Sequence, residues 1–271
     1  MVETWLISRG TLAGEARELR ARGHDAVELL WSSVPFPASP APDIVRWMMV
    51  PEHSVFQLGY IEELERDGAR VINRASAVTN CDKLSILALH HRHLSGVIDA
   101  PASHLAVSVD DALAFISEQG RAIVKPLAGQ AGSGIEIIDS AMPGLEAYLA
   151  NHIDREGVVF LQQVIDNVRA EIRTIIAGDE VIAQYDRGAR GQPCRPVRET
   201  DSNLLPGLAE AAGRARNITG LDTLALDAIV DGGGKPWLIE WNPFFGYGHI
   251  SAAWLDIAGH MAEFIIHFAL G

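Results

Sequence analysis

Cysteine, basic residues and long apolar runs are scarce in this sequence of 271 residues. Two cysteines, Cys81 and Cys194, are too few for a disulfide framework and fit a reducing compartment such as the cytoplasm. Lys and Arg number 22 against 35 Asp and Glu, a net charge of −13, which argues against a nucleic-acid partner because phosphate binding needs clustered basic side chains. No apolar run approaches the length of a membrane span, and the N-terminus lacks the pattern of a signal peptide, so we expect a cytoplasmic protein with no membrane partner.

Hydrophobic residues make up 48% of the chain, enough to bury a substantial core in two or three subdomains. Over residues 1–78, apolar strand-like segments alternate with helix-like segments, a β-α-β pattern that predicts a small parallel sheet. Arg46 is expected at or near a strand end of that sheet, where ligands usually bind. A solvated surface arginine is the alternative interpretation.

Residues 224–242 predict a β-hairpin that carries two acidic side chains inside apolar runs. If its loop has two or four residues, Asp227 lies opposite Leu238. Because side chains alternate along a strand, Asp227, Glu240 and Asn242 then project from one face. Two carboxylates and an amide oxygen form a hard-oxygen site of the kind Mg²⁺ uses when substrate phosphates complete its shell. The alternative is an ordinary hairpin with a solvated acidic face, although unpaired charges in apolar runs are expensive.

A glycine-rich segment predicts an anion-binding loop. The strand at residues 121–126 carries Lys125, residues 127–134 form the loop, and a second strand follows. Such a loop brings backbone N–H groups close to an anion. It is not a P-loop, because no Gly-Lys-Ser/Thr follows and it leads into a strand. A phosphate lid with Lys125 at its base is favoured over an ordinary glycine-rich hairpin.

Two more segments carry candidate ligand contacts. Lys83 lies at the start of a helix that Thr79 or Asn80 can cap, and could equally be a surface lysine. The strand at residues 158–165 ends in paired glutamines, where a chain leaving a sheet can offer backbone groups to an adenine edge, with Asp166 or Asn167 near a ribose.

The hairpin at residues 171–185 places Glu171 and Arg173 on one face, and Arg187 follows its second strand. Buried arginines are rare unless paired, so Arg173 and Arg187 are candidates for phosphate or carboxylate binding. Surface ion pairs are the alternative.

In this order, the motifs resemble the ATP-grasp superfamily, most closely the RimK-like α-L-glutamate ligases. The resemblance covers residues 71–243. It is carried by Val71-Ile72-Asn73-Arg74, Asp82-Lys83, Val124-Lys125-Pro126 with its glycine loop, Leu161-Gln162-Gln163-Val164-Ile165, Glu171-Ile172-Arg173, Leu226-Asp227 and Ile239-Glu240-Trp241-Asn242-Pro243.

The resemblance implies an α/β and α+β fold, in which a pre-ATP-grasp parallel α/β domain precedes a two-lobed ATP-grasp fold. The expected parts are residues 1–78 for the first domain, 79–165 for a linker helix and the N-terminal lobe, and 166–271 for the C-terminal lobe with the metal site. ATP is expected between the lobes, with two Mg²⁺ ions, or Mn²⁺ in their place, held by Asp227, Glu240 and Asn242.

The resemblance also implies the remaining site residues. Those expected to bind ATP are Lys83, Lys125, Gly132, Ser133, Gly134, Gln162, Gln163, Val164 and Asp166. Those expected to act in catalysis are Lys125, Arg173 and Arg187. Two positions depart from the family pattern, because Gln163 stands where glutamate is usual and Glu171 where aspartate is usual.

The expected activity is that of a Mg²⁺-dependent carboxylate–amine ligase that forms an amide through an acylphosphate. An ATP-binding module without ligase activity and a phosphotransferase of the same fold are the alternatives. The partners are a small carboxylate and an amine, or a peptide or protein terminus, and a homodimer stays open. Candidates for the acid-binding pocket are Arg46, Arg187, Arg190, Arg195 and Arg198. Phe244, Phe245 and Tyr247 either wall that cavity or pack on the C-terminal helix through Trp254.

Overall fold

The computed structural model describes residues 2–36, 40–49, 54–127, 134–188, 193–247 and 254–271. Within these residues the strands form three four-stranded sheets, one parallel and two antiparallel. The predicted combination of a parallel α/β part with α+β parts is therefore what the structure shows. In the described residues, no helix is both long and apolar enough to cross a membrane.

The parallel sheet has the order β2-β1-β3-β4, and its strands are β1 (Glu3–Ser8), β2 (Asp25–Leu30), β3 (Ile44–Trp47) and β4 (Arg70–Ile72). Helices α1 (Ala13–Ala21) and α2 (Ser54–Arg66) provide two of its crossovers. The central strands are buried on both faces, as parallel strands between helix layers should be. The predicted β-α-β pattern is confirmed.

A linking segment follows, with α3 (Ala75–Val78), a 3₁₀ turn, α4 (Lys83–Leu89) and a π-helical turn at His90–Leu94. Asp82 caps α4, because its Oδ1 accepts hydrogen bonds from the backbone N–H of Leu84 at 2.9 Å and of Ser85 at 3.0 Å. Capping by Thr79 or Asn80 is wrong, since both lie in the preceding 3₁₀ turn.

The second sheet has the order β5-β8-β6-β7, with strands β5 (Ser103–Ala106), β6 (Arg121–Lys125), β7 (Glu136–Asp139) and β8 (Val159–Gln163). Helices α5 (Val109–Gln119) and α6 (Leu145–Glu156) pack on the face that carries Val124 and Leu161. Side chains alternate along these strands, so Lys125 and Gln162 belong to the opposite face.

The third sheet has the order β10-β9-β11-β12, with strands β9 (Ala170–Ala177), β10 (Glu180–Asp186), β11 (Thr223–Val230) and β12 (Pro236–Asn242). Helix α7 (Leu205–Thr219) packs on the face that carries Ile176, Leu224 and Leu226. The other face carries the charged residues of the site.

The C-terminal helix α8 (Ile257–Leu270) packs back onto the parallel sheet, where Ala262 and Ile265 meet Leu6 and Ile44. The last helix of the chain thus completes the core of the first sheet. The division at residues 78 and 165 stays a prediction.

Candidate active site

The acidic hairpin β11–β12 has a different register from the one expected. Asp227 lies opposite Glu240, with a bulge between Asp227 and Ala228. The predicted pairing of Asp227 with Leu238 is wrong, because the connecting loop spans residues 231–235 and the bulge then shifts the register once more. The shift leaves Asp227 and Glu240 on a common face.

Asn242 joins the two carboxylates through its side chain. Its Nδ2 donates to Glu240 Oε1 at 3.0 Å and to Asp227 Oδ2 at 3.3 Å. Asp227 is only 2% exposed, so its charge needs a nearby cation or strong hydrogen-bond donors. A solvated acidic face is therefore the wrong interpretation for Asp227.

Arg173 supplies the positive charge that compensates Asp227. The two residues are paired across β9 and β11, and Arg173 donates from Nε to Oδ1 at 2.7 Å and from Nη2 to Oδ2 at 2.6 Å. Burial lowers the pKa of Arg173, but Asp227 outweighs that effect, so the pKa lies above its ordinary value. Arg173 is 8% exposed, which makes the surface-pair alternative wrong for this arginine.

Arg187 lies on the more open side of the same cluster. Its Nη1 donates to Glu171 Oε1 at 2.6 Å and to Asp227 Oδ2 at 3.3 Å. Burial raises the pKa of Glu171, and the charge of Arg187 opposes the rise. The structure thus joins both predicted arginines to one metal-candidate carboxylate.

Lys83 and Lys125 come from the other side of the site, on α4 and β6. Burial lowers the pKa of each lysine, and the charge of Glu240 opposes the shift in both. Lys83 lowers the pKa of Lys125 further, so the two ammonium groups and Glu240 share one electrostatic environment. Lys83 Nζ also donates to the carbonyl of Leu127 at 3.1 Å, at the start of the glycine-rich loop.

The glycine-rich loop is described only at its flanks, because Gly132 and Ser133 lie outside the described residues. Gly134 has a φ of +74°, and a Cβ atom there would lie 3.3 Å from Cγ of Pro126. Glycine therefore suits this position for both conformational and steric reasons. Strands β6 and β7 pair on either side as predicted, and the phosphate-lid role stays a prediction.

In the predicted adenine-binding segment at the end of β8, both glutamines form hydrogen bonds within the protein. Gln162 Nε2 donates to Ser103 Oγ at 2.9 Å. The backbone N–H of Gln163 donates to the Ala102 carbonyl at 2.7 Å, and its Oε1 accepts from the Ala102 N–H at 3.2 Å. Val164 follows immediately after the strand.

Asp166, predicted near a ribose, forms an ion pair with Arg121 at the start of β6. Both side chains are well exposed to solvent. To contact a ribose hydroxyl, Asp166 must therefore either release Arg121 or accept from the hydroxyl with its other carboxylate oxygen.

Of the aromatic residues after Asn242, Phe245 is buried in the core, and Phe244 and Tyr247 are partly buried and pack against it. The Phe244 ring meets that of Trp47 edge-on at 4.6 Å, and Phe245 is buried with Ile257 and Met261 of α8. Trp254 is 47% exposed, so the packing on the helix does not run through Trp254 as expected. Of the two interpretations, packing on the C-terminal helix holds for Phe245.

Arg46 is fully buried, at 0% exposure, with its Nε 3.6 Å from Oε2 of Glu15 and its Nη1 donating to the Trp47 carbonyl at 3.3 Å. A solvated surface arginine is therefore wrong, and Arg46 does not face an open pocket in this conformation. Of the other acid-pocket candidates, Arg195 pairs with Asp186 at 2.8 Å, Arg198 is exposed, and Arg190 lies outside the described residues.

Asn73 supports the site through hydrogen bonds. From sequence it was named only as part of the motif Val71-Ile72-Asn73-Arg74, with no role assigned. Its Oδ1 accepts from the N–H groups of Asp222 and Thr223, both at 2.8 Å, and its Nδ2 donates to the Pro243 carbonyl at 3.0 Å. Asn73 thus connects the end of the parallel sheet to the start of β11 and to the residue that follows β12. Its position directly after β4 was the one signal available in the sequence.

The donor set fits a divalent cation that a nucleotide also binds. In the part of the chain that the structure describes, no group of three His, Cys, Asp or Glu side chains could hold a metal alone. Asp227 and Glu240 offer carboxylate oxygens and Asn242 an amide oxygen. That set suits Mg²⁺ when phosphate oxygens supply the remaining ligands.

Comparison with known proteins agrees with this geometry. The family model described as "Prokaryotic glutathione synthetase, ATP-grasp domain" matches residues 88–211. A glutathione synthetase of Prochlorococcus marinus is 29% identical over 215 residues, which cover 76% of this chain and 66% of that protein. This chain is similar to ATP-grasp ligases over most of its length. A probable alpha-L-glutamate ligase of Citrobacter koseri is 28% identical over 76% of this chain and 70% of its own length, so the chain spans about two thirds of these relatives.

Solved structures show the same ATP-grasp fold. The D-cycloserine synthetase DcsG has a TM-score of 0.77 at 16% identity, covering 98% of this chain and 99% of that chain. The ligase PsnB, complexed with a minimal precursor, has a TM-score of 0.75 at 19% identity, with 98% and 99% covered. The predicted resemblance is confirmed, and ATP-grasp ligases as a class use ATP and divalent metal ions.

Proposed function

We propose that the protein is an ATP-dependent carboxylate–amine ligase. A substrate carboxylate oxygen attacks the γ-phosphorus of ATP, ADP leaves, and an acylphosphate forms. An amine then attacks the acyl carbon, inorganic phosphate leaves with its bridging oxygen, and the nitrogen loses a proton. The observation that carries this proposal is the cluster of Asp227, Glu240, Asn242 and Arg173 on one face of the third sheet.

The positive groups around this cluster suit the transfer of a phosphoryl group, which needs positioning and charge neutralisation more than covalent chemistry. Arg173 is held in one orientation by its two hydrogen bonds to Asp227. Lys83 and Lys125 stand near Glu240 on the opposite side, where they can neutralise nucleotide phosphates. Mg²⁺ held by Asp227, Glu240 and Asn242 would neutralise phosphate charge.

The second sheet offers a surface for the nucleotide base. Its strands pair Ile123 with both Ile137 and Gln162, on the same face as Lys125. This places apolar side chains beside a phosphate-binding lysine, an arrangement that suits a flat base with a phosphate chain. Val164 and Asp166 stay the proposed contacts for the adenine edge and the ribose.

We assign the acid and the amine only to chemical classes and not to particular compounds. A small carboxylate and a small amine fit this chemistry, as does a peptide or protein terminus. PsnB was solved with a precursor peptide, as was MdnC with MdnA, which supports the peptide alternative. We place Arg187 at the acyl group or the transferring phosphate, because it lies at the open side of the cluster, 36% exposed. Two metal ions, Mn²⁺ as a substitute, a homodimer and a cytoplasmic location belong to the same proposal.

The test is to trap the acylphosphate. The protein is incubated with Mg-ATP, hydroxylamine and a panel of carboxylates that includes free amino acids and short peptides, and hydroxamate is measured. We expect hydroxamate with at least one acid, and its loss in Asp227→Asn. Asp154→Asn, a change of the same kind at an exposed position on α6, is the matched control and should retain wild-type activity.

Other outcomes point to the alternatives. Tight ATP binding with no hydroxamate across the panel favours an ATP-binding module. A stable phosphorylated product that forms without any amine favours a phosphotransferase. Wild-type hydroxamate formation by Asp227→Asn contradicts the metal assignment.

A further inference from the structure

The chain segment that follows Asn242 is held by contacts with residues of the first sheet and with Asn73 directly after it. Asn73, directly after β4, donates a hydrogen bond to the Pro243 carbonyl at 3.0 Å. One residue further along, the ring of Phe244 packs against that of Trp47 in β3, with 4.6 Å between the ring centroids. The position of Asn242 is therefore set partly by residues of the parallel sheet.

A buried polar cluster fastens the far end of the same segment. The hydroxyl of Tyr247 donates to Glu15 Oε1, and Glu15 lies beside Arg46 with 3.6 Å between Oε2 and Nε. The guanidinium carbon of Arg46 lies 5.7 Å from the centre of the Phe245 ring. Glu15 and Arg46 are both 0% exposed, so three elements, α1, β3 and the segment after β12, meet at one buried charge pair.

The Tyr247 hydroxyl matters because Glu15 and Arg46 are not fully satisfied by each other. Among the described residues, Glu15 Oε2 and the Nε and Nη2 atoms of Arg46 have no hydrogen-bond partner. A buried carboxylate with few donors depends strongly on each one that remains. Burial raises the pKa of Glu15, and Arg46 and Tyr247 both oppose the rise.

We propose that Tyr247, held by Glu15, is a positioning residue that fixes the segment after Asn242 and so sets the affinity of the metal site for Mg²⁺. This inference rests on the proposed function, because it takes Asn242 as a metal ligand. The path is short: Tyr247 holds its end of the segment, Asn73 holds Pro243, and Asn242 is the next residue back. Partners that hydrogen-bond directly to metal ligands commonly change metal affinity or activity by about 10–100-fold when removed. Tyr247 acts through the segment and not through a bond to a ligand, so its effect should lie at the low end of that range.

The test measures binding of a non-hydrolysable ATP analogue by calorimetry, at a series of Mg²⁺ concentrations and in EDTA. Tyr247→Phe should raise the Mg²⁺ concentration needed for half-maximal binding about tenfold, the low end of that range, and leave binding in EDTA unchanged. Tyr60→Phe is the matched control, because its hydroxyl also donates a single hydrogen bond, to the Pro35 carbonyl in the first domain. It should leave the Mg²⁺ dependence unchanged.

Glu15→Gln separates positioning from stability. The amide oxygen still accepts from Tyr247, but Arg46 loses its counter-charge, so the melting temperature should fall while the Mg²⁺ dependence stays within about twofold of wild type. If Tyr247 has only a structural role, the Mg²⁺ concentration for half-maximal binding should rise in proportion to the loss of melting temperature in every variant. Glu15→Gln should then show a larger change in Mg²⁺ dependence than Tyr247→Phe.

Asp227→Asn makes the two levels of the proposal distinguishable. If Asp227→Asn loses Mg²⁺-dependent binding while Tyr247→Phe behaves as wild type, the inference about Tyr247 is wrong and the metal site stands. If Asp227→Asn keeps wild-type Mg²⁺ dependence, the metal assignment is wrong and the role of Tyr247 is overturned with it. Loss of Mg²⁺-dependent binding in Asp227→Asn together with a raised Mg²⁺ requirement in Tyr247→Phe, with Tyr60→Phe unchanged, supports both.

Discussion

Removing Arg173 should destabilise the protein, because it leaves the Asp227 carboxylate buried without its main partner. Arg173 makes two charge-assisted hydrogen bonds to Asp227, at 2.7 and 2.6 Å. Bonds of this type contribute about 1.5–3 kcal/mol each, and breaking a buried ion pair on one side costs about 3–5 kcal/mol. Arg187 and Asn242 stay in contact with Asp227, each at 3.3 Å, so we expect Arg173→Met to cost about 3 kcal/mol, the low end of the range.

The assay is urea unfolding of the protein without nucleotide, followed by circular dichroism. Asp227→Leu combined with Arg173→Met is the decisive comparison, because replacing both partners of a buried pair by apolar groups removes the unpaired charge. We expect the double variant to recover most of the lost free energy of unfolding. A double variant as unstable as Arg173→Met, or a single variant within about 1 kcal/mol of wild type, would refute the reasoning.

Two further predictions concern the phosphate side of the site. Burial lowers the pKa of Lys125, so its charge is lost at lower pH than that of an ordinary lysine, whose pKa is about 10.4. ATP affinity should therefore decline as pH rises toward that value, and Lys125→Arg, which keeps its charge, should reduce the decline in a fluorescence titration. The remaining decline comes from Lys83, because burial lowers its pKa as well. Gly134→Ala should lower the free energy of unfolding by about 1 kcal/mol, because φ is +74° and the new methyl group meets Pro126. Gly59→Ala, in helix α2 with open space around it, should be neutral or stabilising in the same urea unfolding experiment.

The common face of Asp227, Glu240 and Asn242 was predicted correctly from sequence, although the register was not. Strand side chains repeat with a period of two, so any register that pairs Asp227 with an even-numbered position of β12 gives the same face. The bulge after Asp227 depends on how β11 and β12 pack in the sheet, and no local signal marks it. The five-residue loop alone would pair Asp227 with Ile239 and turn it to the other face, and the bulge restores the common face. The prediction of the face was therefore right because two one-residue shifts cancel.

The partners of these residues could not be predicted, because they come from distant parts of the chain. Arg173 meets Asp227 only because β9 and β11 are neighbours, and the residues between them include β10 and α7. Arg46 was expected to be solvated or to contact a ligand, since a charge is rarely buried without a partner. Its partner Glu15 lies on α1 and the nearby Tyr247 lies more than two hundred residues away in sequence, so only the fold shows that the cluster is buried.

The central claim is that a carboxylate is activated by ATP as an acylphosphate, and the fate of one oxygen atom tests it directly. An acid that yields hydroxamate is labelled with ¹⁸O in its carboxylate and converted to the amide in the presence of its amine. The released nucleotide and phosphate are then analysed by mass spectrometry. The account predicts one ¹⁸O atom in inorganic phosphate and none in the nucleotide. Label in AMP, or unlabelled phosphate beside a labelled amide and labelled water, would contradict it.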